Sequence, residues 1–417
     1  MNTLKKFLVL GGKPIGSKEI VTRLKELGHY VIVSDCLDPV KSPAKLLADE
    51  YWNISTAEVD RLAAEIKKTE VSAFITGVHE FNINRLIDLS EMFGYPCYCN
   101  RKAWRFCDNK SDFKNLCKQS GIRVAKVYEY DELHRNPSGF PVIVKPVDGS
   151  GSRGFHICRN LNELEEYYPL SRKFSPTGSV LIEEYVPWDA VIIHYTLSGG
   201  RCRYSGMSDK KSVRFHSTGA SVMGIQTFPS TGESVYLRDL NHHVERMFEN
   251  AGFTDGPVWI EAFFDGKDTF IFNEMGYRFG GSLTYYPVRY FYGIDQLDMM
   301  IAQASGVSQE LSPVRQQNLK KYCILPVHIQ PGTIKEIIES PELWSDDVYA
   351  VVPVHYLGDV IEEWGSAQQV FAYVHILYSN LDELKENVHH FLDNIRVNNE
   401  RGENMLFTLF DVNSLTL

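Results

Sequence analysis

Two glutamates, Glu261 and Glu274, lie in apolar runs, Val258 to Phe264 and Thr269 to Met275, joined by Asp265, Gly266, Lys267 and Asp268. The pattern predicts a β-hairpin. Side chains alternate faces with period two, so pairing Phe264 with Thr269 sets Glu261 opposite Phe272 and leaves Glu274 two residues further along the same face. The carboxylates are then diagonal neighbours with Cα atoms roughly 7 to 8 Å apart. That separation lets two oxygen-bearing side chains close around a hard cation such as Mg2+, which also takes phosphate oxygens and water. Arg278 follows, a permanent cation with a planar donor fork, and then a Gly280-Gly281-Ser282 turn whose backbone can approach a ligand closely.

Three more stretches carry groups suited to a phosphorylated ligand. Phe140 to Pro146 reads as a short strand bearing Lys145, followed by the glycine- and serine-rich run Val147 to Gly154 and a second strand, Phe155 to Cys158. A Walker loop would need a helix after its glycines and a GK[ST] ending, and neither is present. A hairpin tip of this kind can fold its backbone N–H groups over phosphates beside a fixed charge. Asp108 to Ser120 has a helical period, and Lys110 in its first turn opposes the helix dipole unless an anion is near. Val180 to Val186 is a further strand, with Glu183 and Glu184 at its end. Taken singly, each of these is also a solvated hairpin, a surface lysine or an ordinary strand. Their conjunction carries the chemistry.

Together these motifs resemble the ATP-grasp superfamily, in which acidic residues on adjacent strands hold Mg2+ and an E-x-N-x-R signature ends in an arginine facing the transferring phosphate. The chain reads Glu274-Met275-Gly276-Tyr277-Arg278 and departs at Gly276, where the family's usual Asn is a further metal ligand. The resemblance implies ATP and Mg2+, two ions with Mn2+ as an alternative, on Glu261 and Glu274. It implies Arg278 and Lys145 as catalytic groups, and Lys110, Lys145, Ser150, Gly151, Ser152 and Gly154 around the phosphates. Glu183 and the backbone of Glu184, Tyr185 and Val186 become the adenine hinge, and Asp189 the ribose acid. The implied reaction transfers the γ-phosphate to a small-molecule carboxylate, and the acylphosphate is then attacked by an amine. A bicarbonate-activating carboxylase and a non-catalytic ATP-binding protein remain open alternatives.

The elements that must position these groups can be read along the chain. Residues 5 to 35 read as strand, glycine turn, helix, strand, ending on Asp35, where a dinucleotide-binding fold would place its ribose acid. The loop Gly11-Gly12-Lys13-Pro14-Ile15-Gly16 counts against that reading, because Lys13 stands at the middle glycine position. The expected architecture is α/β and α+β multidomain. It comprises a Rossmann-like pre-ATP-grasp domain over 1–100, an ATP-grasp domain of two α+β lobes over 101–312 with a lid at about 122–186, and a C-terminal α+β region over 313–417 packing on that core. In the last region, Pro331-Gly332-Thr333-Ile334 is expected to open a short helix through Ile337, and Leu381 to Ile395 a longer one.

With 417 residues, 44% hydrophobic and 23% charged, the composition is that of an ordinary soluble globular protein. A net charge of -10 without clustered Lys and Arg argues against a nucleic-acid partner. The opening MNTLKKFLVLGG is too short to span a bilayer, and no membrane partner is expected. Eight cysteines without a C-x-x-C point to reduced thiols in a cytoplasmic protein. A homodimer stays open.

Overall fold

The computed structural model describes residues 4–147, 154–215, 221–311, 316, 319–362, 365, 367–407 and 409–415. The chain begins with a four-stranded parallel sheet in the order Glu50–Trp52, Tyr30–Ser34, Lys6–Leu10, Ala73–Thr76. Its strands Lys6–Leu10 and Ala73–Thr76 are almost unbroken apolar runs, as a parallel sheet covered on both faces requires. Helices Ser17–Glu26, Val59–Thr69 and Glu80–Phe93 connect and cover them. Asp35 does not await a ribose. Its carboxylate accepts from Gly12 N (2.7 Å) and Ser42 Oγ (2.6 Å) and pairs with buried Lys45 at 2.8 Å, which closes the glycine loop on itself.

The helix expected over Asp108 to Ser120 starts later, at Lys110–Gln119, because the Asn109 side chain caps it by accepting from Ser111 N and Asp112 N. A four-stranded antiparallel sheet follows, ordered Val127–Tyr128, Val180–Glu184, Val142–Pro146, His156–Cys158. Helix Leu161–Lys173 covers it and closes a small core of Leu133, Val142, Val144, Cys158, Leu164 and Ile182.

The largest element is a nine-stranded antiparallel sheet. Its path runs Phe270–Gly276, Gly256–Phe264, Ala190–Ser198, Arg201–Arg214, Ser221–Phe228, Lys321–Ile329, Val370–Tyr378, Val348–Pro353, and Leu406–Phe407 pairs with Lys321–Ile329. The C-terminal region is joined to the core through the sheet itself. Its strands continue the core sheet through the pairing of Gln226 with Ile324, Thr227 with Cys323 and Phe228 with Tyr322. Helix Leu381–Asp393 buries Leu384, Val388 and Phe391 against this extension. The short helix expected after Ile334 is instead a strand, Glu336–Glu339, paired with Ile395–Asn398. The β-branched pair Ile337-Ile338 suits a strand, with Ile337 packed inward and Ile338 43% exposed. Among the described residues no helix is long and apolar enough to cross a membrane.

Candidate active site

The hairpin forms, but its register differs from the expected one. The turn runs from Asp265 to Thr269, and Asp265 Oδ1 gathers the N–H groups of Lys267, Asp268 and Thr269 at 2.9 to 3.0 Å. Phe264 consequently pairs with Phe270 instead of Thr269. This odd-length loop alone would set Glu261 against Asn273. A β-bulge between Glu261 and Ala262 shifts the register by one, so Glu261 lies directly opposite Glu274, and Ala262 opposite Phe272. The two carboxylates are thus cross-strand partners, closer than the diagonal placement expected from sequence.

Each carboxylate has its own electrostatic setting. Glu261, 8% exposed, accepts from Lys210 Nζ at 2.5 Å and Asn273 Nδ2 at 2.8 Å. Burial pulls its pKa up, but Lys210 and these hydrogen bonds outweigh burial and hold it below the ordinary carboxylate value. Glu274 goes the other way: burial first, then the charge of Glu261, raise it, and Lys110, Lys210 and Lys145 only partly compensate. The pair therefore holds negative charge that nearby side chains do not fully balance. That donor set fits a hard divalent cation. Among the described residues no group of three or more His, Cys, Asp or Glu side chains is placed to hold a metal, so the remaining ligands would be phosphate, water or a neutral oxygen.

Arg278 lies beyond the end of the second strand. Its guanidinium sits 5.3 Å from the Trp259 ring centroid, donates to Phe279 O at 3.2 Å, and meets Glu80 of the N-terminal domain at 3.4 Å. Arg278 Nε is buried without a hydrogen-bond partner among the described residues, as is Trp259 Nε1. Two buried donors without acceptors at one cleft wall suit an anionic ligand.

On the opposite wall, Lys145 donates to Glu183 at 2.6 Å, and Lys114, one helical turn after Lys110, forms an ion pair with the same carboxylate. Glu183 is 2% exposed. Burial raises its pKa, and the two lysines overcome that and bring it down. The Glu183 carboxylate thus serves two lysines, which leaves only its backbone for the expected adenine hinge. Glu184, Tyr185, Val186 and Asp189 line the same cleft. Beside them Val186 packs with Ala125 and Ile271, flanked by Trp188 and Phe263, an apolar slot of the kind a purine ring enters. The cleft has a volume of about 930 Å³, and Lys110, Lys145, Lys210, Glu261, Glu274 and Arg278 all face it.

Gly154 has φ +71°, and a Cβ there would meet Phe174 at 2.9 Å and Pro146 at 3.1 Å. Ser150, Gly151 and Ser152 lie outside the described residues. Sequence reasoning missed Lys114, Lys210, Asn273 and Trp259. Lys114 carried a signal, since it repeats Lys110 at helical spacing. Lys210 was hidden because it lies on the long strand Arg201–Arg214, whose alternation is interrupted by two register shifts.

The fold is the ATP-grasp fold: a small antiparallel sheet and a large one enclose a cleft with lysines on one wall and paired carboxylates on the other. Residues 106–189 match the family described as the carbamoyl-phosphate synthase L chain, ATP binding domain. The biotin carboxylase domain of the Hydrogenobacter thermophilus 2-oxoglutarate carboxylase, solved with MgADP, ADP and bicarbonate, superimposes with a TM-score of 0.76 at 17% identity, covering 95% of this chain and 91% of that one. An L-amino acid ligase from Bacillus licheniformis gives a TM-score of 0.74 at 16% identity, covering 96% of this chain and 100% of that one. Among curated proteins, the formate-dependent phosphoribosylglycinamide formyltransferase of Sulfurisphaera tokodaii is 28% identical over 196 residues, 44% of this chain and 48% of that protein. The chain thus spans about half the length of the first curated relatives it matches.

Proposed function

We propose that this protein is an ATP-dependent carboxylate-amine ligase. The observation that carries the reading is the directly opposed Glu261–Glu274 pair, which shares one cleft with Lys110, Lys145, Lys210 and Arg278. An oxygen of the substrate carboxylate attacks the γ-phosphorus of ATP, the bond to the β,γ-bridging oxygen breaks, and ADP leaves. The amine nitrogen then attacks the carbonyl carbon of the acylphosphate. The C–O bond to phosphate breaks, the nitrogen loses a proton, and inorganic phosphate departs with one oxygen of the original carboxylate.

In this reading Glu261 and Glu274, with Asp189 at the ribose, anchor the nucleotide end, and the apolar slot at Val186 takes the base. Mg2+ on the two glutamates, as one or two ions, would neutralise phosphate charge. Lys145 and Lys110 hold phosphate oxygens, and the Arg278 fork meets charge that develops on the transferring group. Positioning and charge neutralisation supply most of the rate, because the protein itself makes no covalent bond.

The test is ADP release that requires both a carboxylate and an amine, followed with 18O in the carboxylate. Formate is the first carboxylate to try, given the name of the Sulfurisphaera relative, and amino acids come next, given the Bacillus ligase. One labelled oxygen in the released phosphate is expected. ADP release that depends on bicarbonate alone would move the protein to the carboxylases, and ADP binding without turnover on any acceptor would leave a nucleotide-binding protein.

A further inference from the structure

The bulge that brings Glu261 opposite Glu274 has a second effect. In a bulge two residues of one strand face a single partner, and here Asn273 and Glu274 both turn toward Glu261. Both are half-buried at the cleft between buried Phe272 and Met275, so strict alternation is broken at this point. Asn273 Nδ2 donates to Glu261 Oε1 at 2.8 Å. The amide is oriented by that contact, since its oxygen would repel the carboxylate, and Oδ1 is the atom left for the cleft.

Position 276, two residues past Glu274, cannot supply a side-chain oxygen. It is glycine, and a Cβ there would lie 2.5 Å from Trp259 Nε1 and 2.6 Å from Cε2 of the same ring. Among the described residues no third acidic, His or Cys side chain joins the pair. A neutral carboxamide oxygen is an ordinary ligand for a hard cation, and it adds no charge to a site where Glu274 is already repelled by Glu261. We propose that Asn273 is the third protein ligand of the divalent cation held by Glu261 and Glu274, contributing Oδ1 while its amide nitrogen fixes Glu261. The proposal rests on the reading of the cleft as a metal-nucleotide site.

The test is Mn2+ binding to the full chain in the presence of saturating ADP, read by electron paramagnetic resonance and needing no turnover. Asn273→Ala is expected to weaken Mn2+ binding roughly ten- to a hundredfold, with ADP binding in EDTA and the melting temperature close to wild type. Asn273→Asp separates ligation from positioning, because Asp keeps Oδ1 and loses the donor to Glu261. It is expected to restore Mn2+ affinity to within a few-fold of wild type. Wild-type affinity in Asn273→Ala, or an Asp variant as weak as Ala, overturns the proposal. Glu274→Gln is the control on the underlying reading. If it loses Mn2+ while Asn273→Ala does not, only the role of Asn273 falls. If it too binds Mn2+ normally, the metal site itself is wrong and the proposal falls with it.

Discussion

The Trp259 indole occupies the space that any side chain at position 276 would need: the two residues are cross-strand partners, and a Cβ on Gly276 would meet the ring at 2.5 Å. Because Arg278 lies over the same ring, the indole is also one wall of its setting. Gly276→Asn is therefore expected to expel Trp259 and loosen Arg278, and the overpacking should cost about 1 to 3 kcal/mol of stability. Urea unfolding checks this. The double variant Gly276→Asn, Trp259→Ala should recover part of that loss, since contacting residues do not act additively. A single variant as stable as wild type would show that the indole is free to move.

Lys114 and Lys145 share Glu183, and when Lys145 engages a phosphate, Lys114 must keep the buried carboxylate balanced. Lys114→Met removes that balance. It is expected to destabilise the protein by about 3 to 5 kcal/mol, the range for breaking one side of a buried pair. ATP should bind more weakly as well, because Lys145 is then retained by Glu183. Lys114→Met with Glu183→Gln should regain most of the stability. Chemical denaturation of the three proteins distinguishes this outcome from a merely solvated lysine, for which all three would unfold alike.

The paired glutamates give opposite pH signatures. Glu274 has its pKa raised by burial and by Glu261, so the folded state binds that proton more tightly than the unfolded chain. Its contribution to stability is complete below the ordinary carboxylate value and is lost as pH rises through the raised one. Metal-free Glu274→Gln should therefore be more stable than wild type at neutral pH, yet lose the thermal stabilisation that Mg2+ with ADP gives the wild type. Glu261 is shifted down, so its contribution is present above the ordinary carboxylate value and is lost as pH falls. Glu261→Gln leaves Lys210 without its anion and should destabilise at neutral pH. Thermal melts across pH 4 to 8, about the carboxylate range and above, read both signs. Identical profiles for the two variants would contradict the opposite shifts of the two carboxylates.

Arg278→Lys keeps the charge and loses the planar fork. Turnover should fall about a hundredfold, roughly 3 kcal/mol of transition-state stabilisation, with ATP affinity changed by no more than a few-fold. Steady-state kinetics alongside an ADP titration separate the two effects. A variant that loses nucleotide affinity and keeps its turnover would make Arg278 a binding residue only.

Much of the candidate site was legible because residue type and spacing pointed the same way. Lys145 on a strand before a glycine-rich run, and Glu261 and Glu274 in runs joined by a turn, required only the two-residue period. The exact pairing was not legible, because the turn length and the bulge at Asn273 each shift the register by one and together restore a shared face. Lys210 was missed for a related reason: Arg201–Arg214 carries register shifts at Tyr204/Gly206 and Lys211/Ser212, and an interrupted alternation reads as a strand that has ended. Helix Leu161–Lys173 was also unread, since Pro169 lies inside it and only Leu164 and Ser171 are buried, too few for a clear apolar stripe. At Ile337 the tertiary partner Ile395–Asn398 decided the outcome, which local residue preference could not foresee.

The pairing of Ser221–Phe228 with Lys321–Ile329 joins the segments on either side of residue 312 in a single hydrogen-bonded ladder. A fragment cut at that point would carry a raw edge, with the backbone groups of Gln226 to Phe228 unpaired and Ile225 stripped of its cover. Such an edge invites other chains to add to it. Separate expression of the two halves should therefore give aggregates in place of two soluble pieces, whereas co-expression gives them the chance to reassemble by strand complementation.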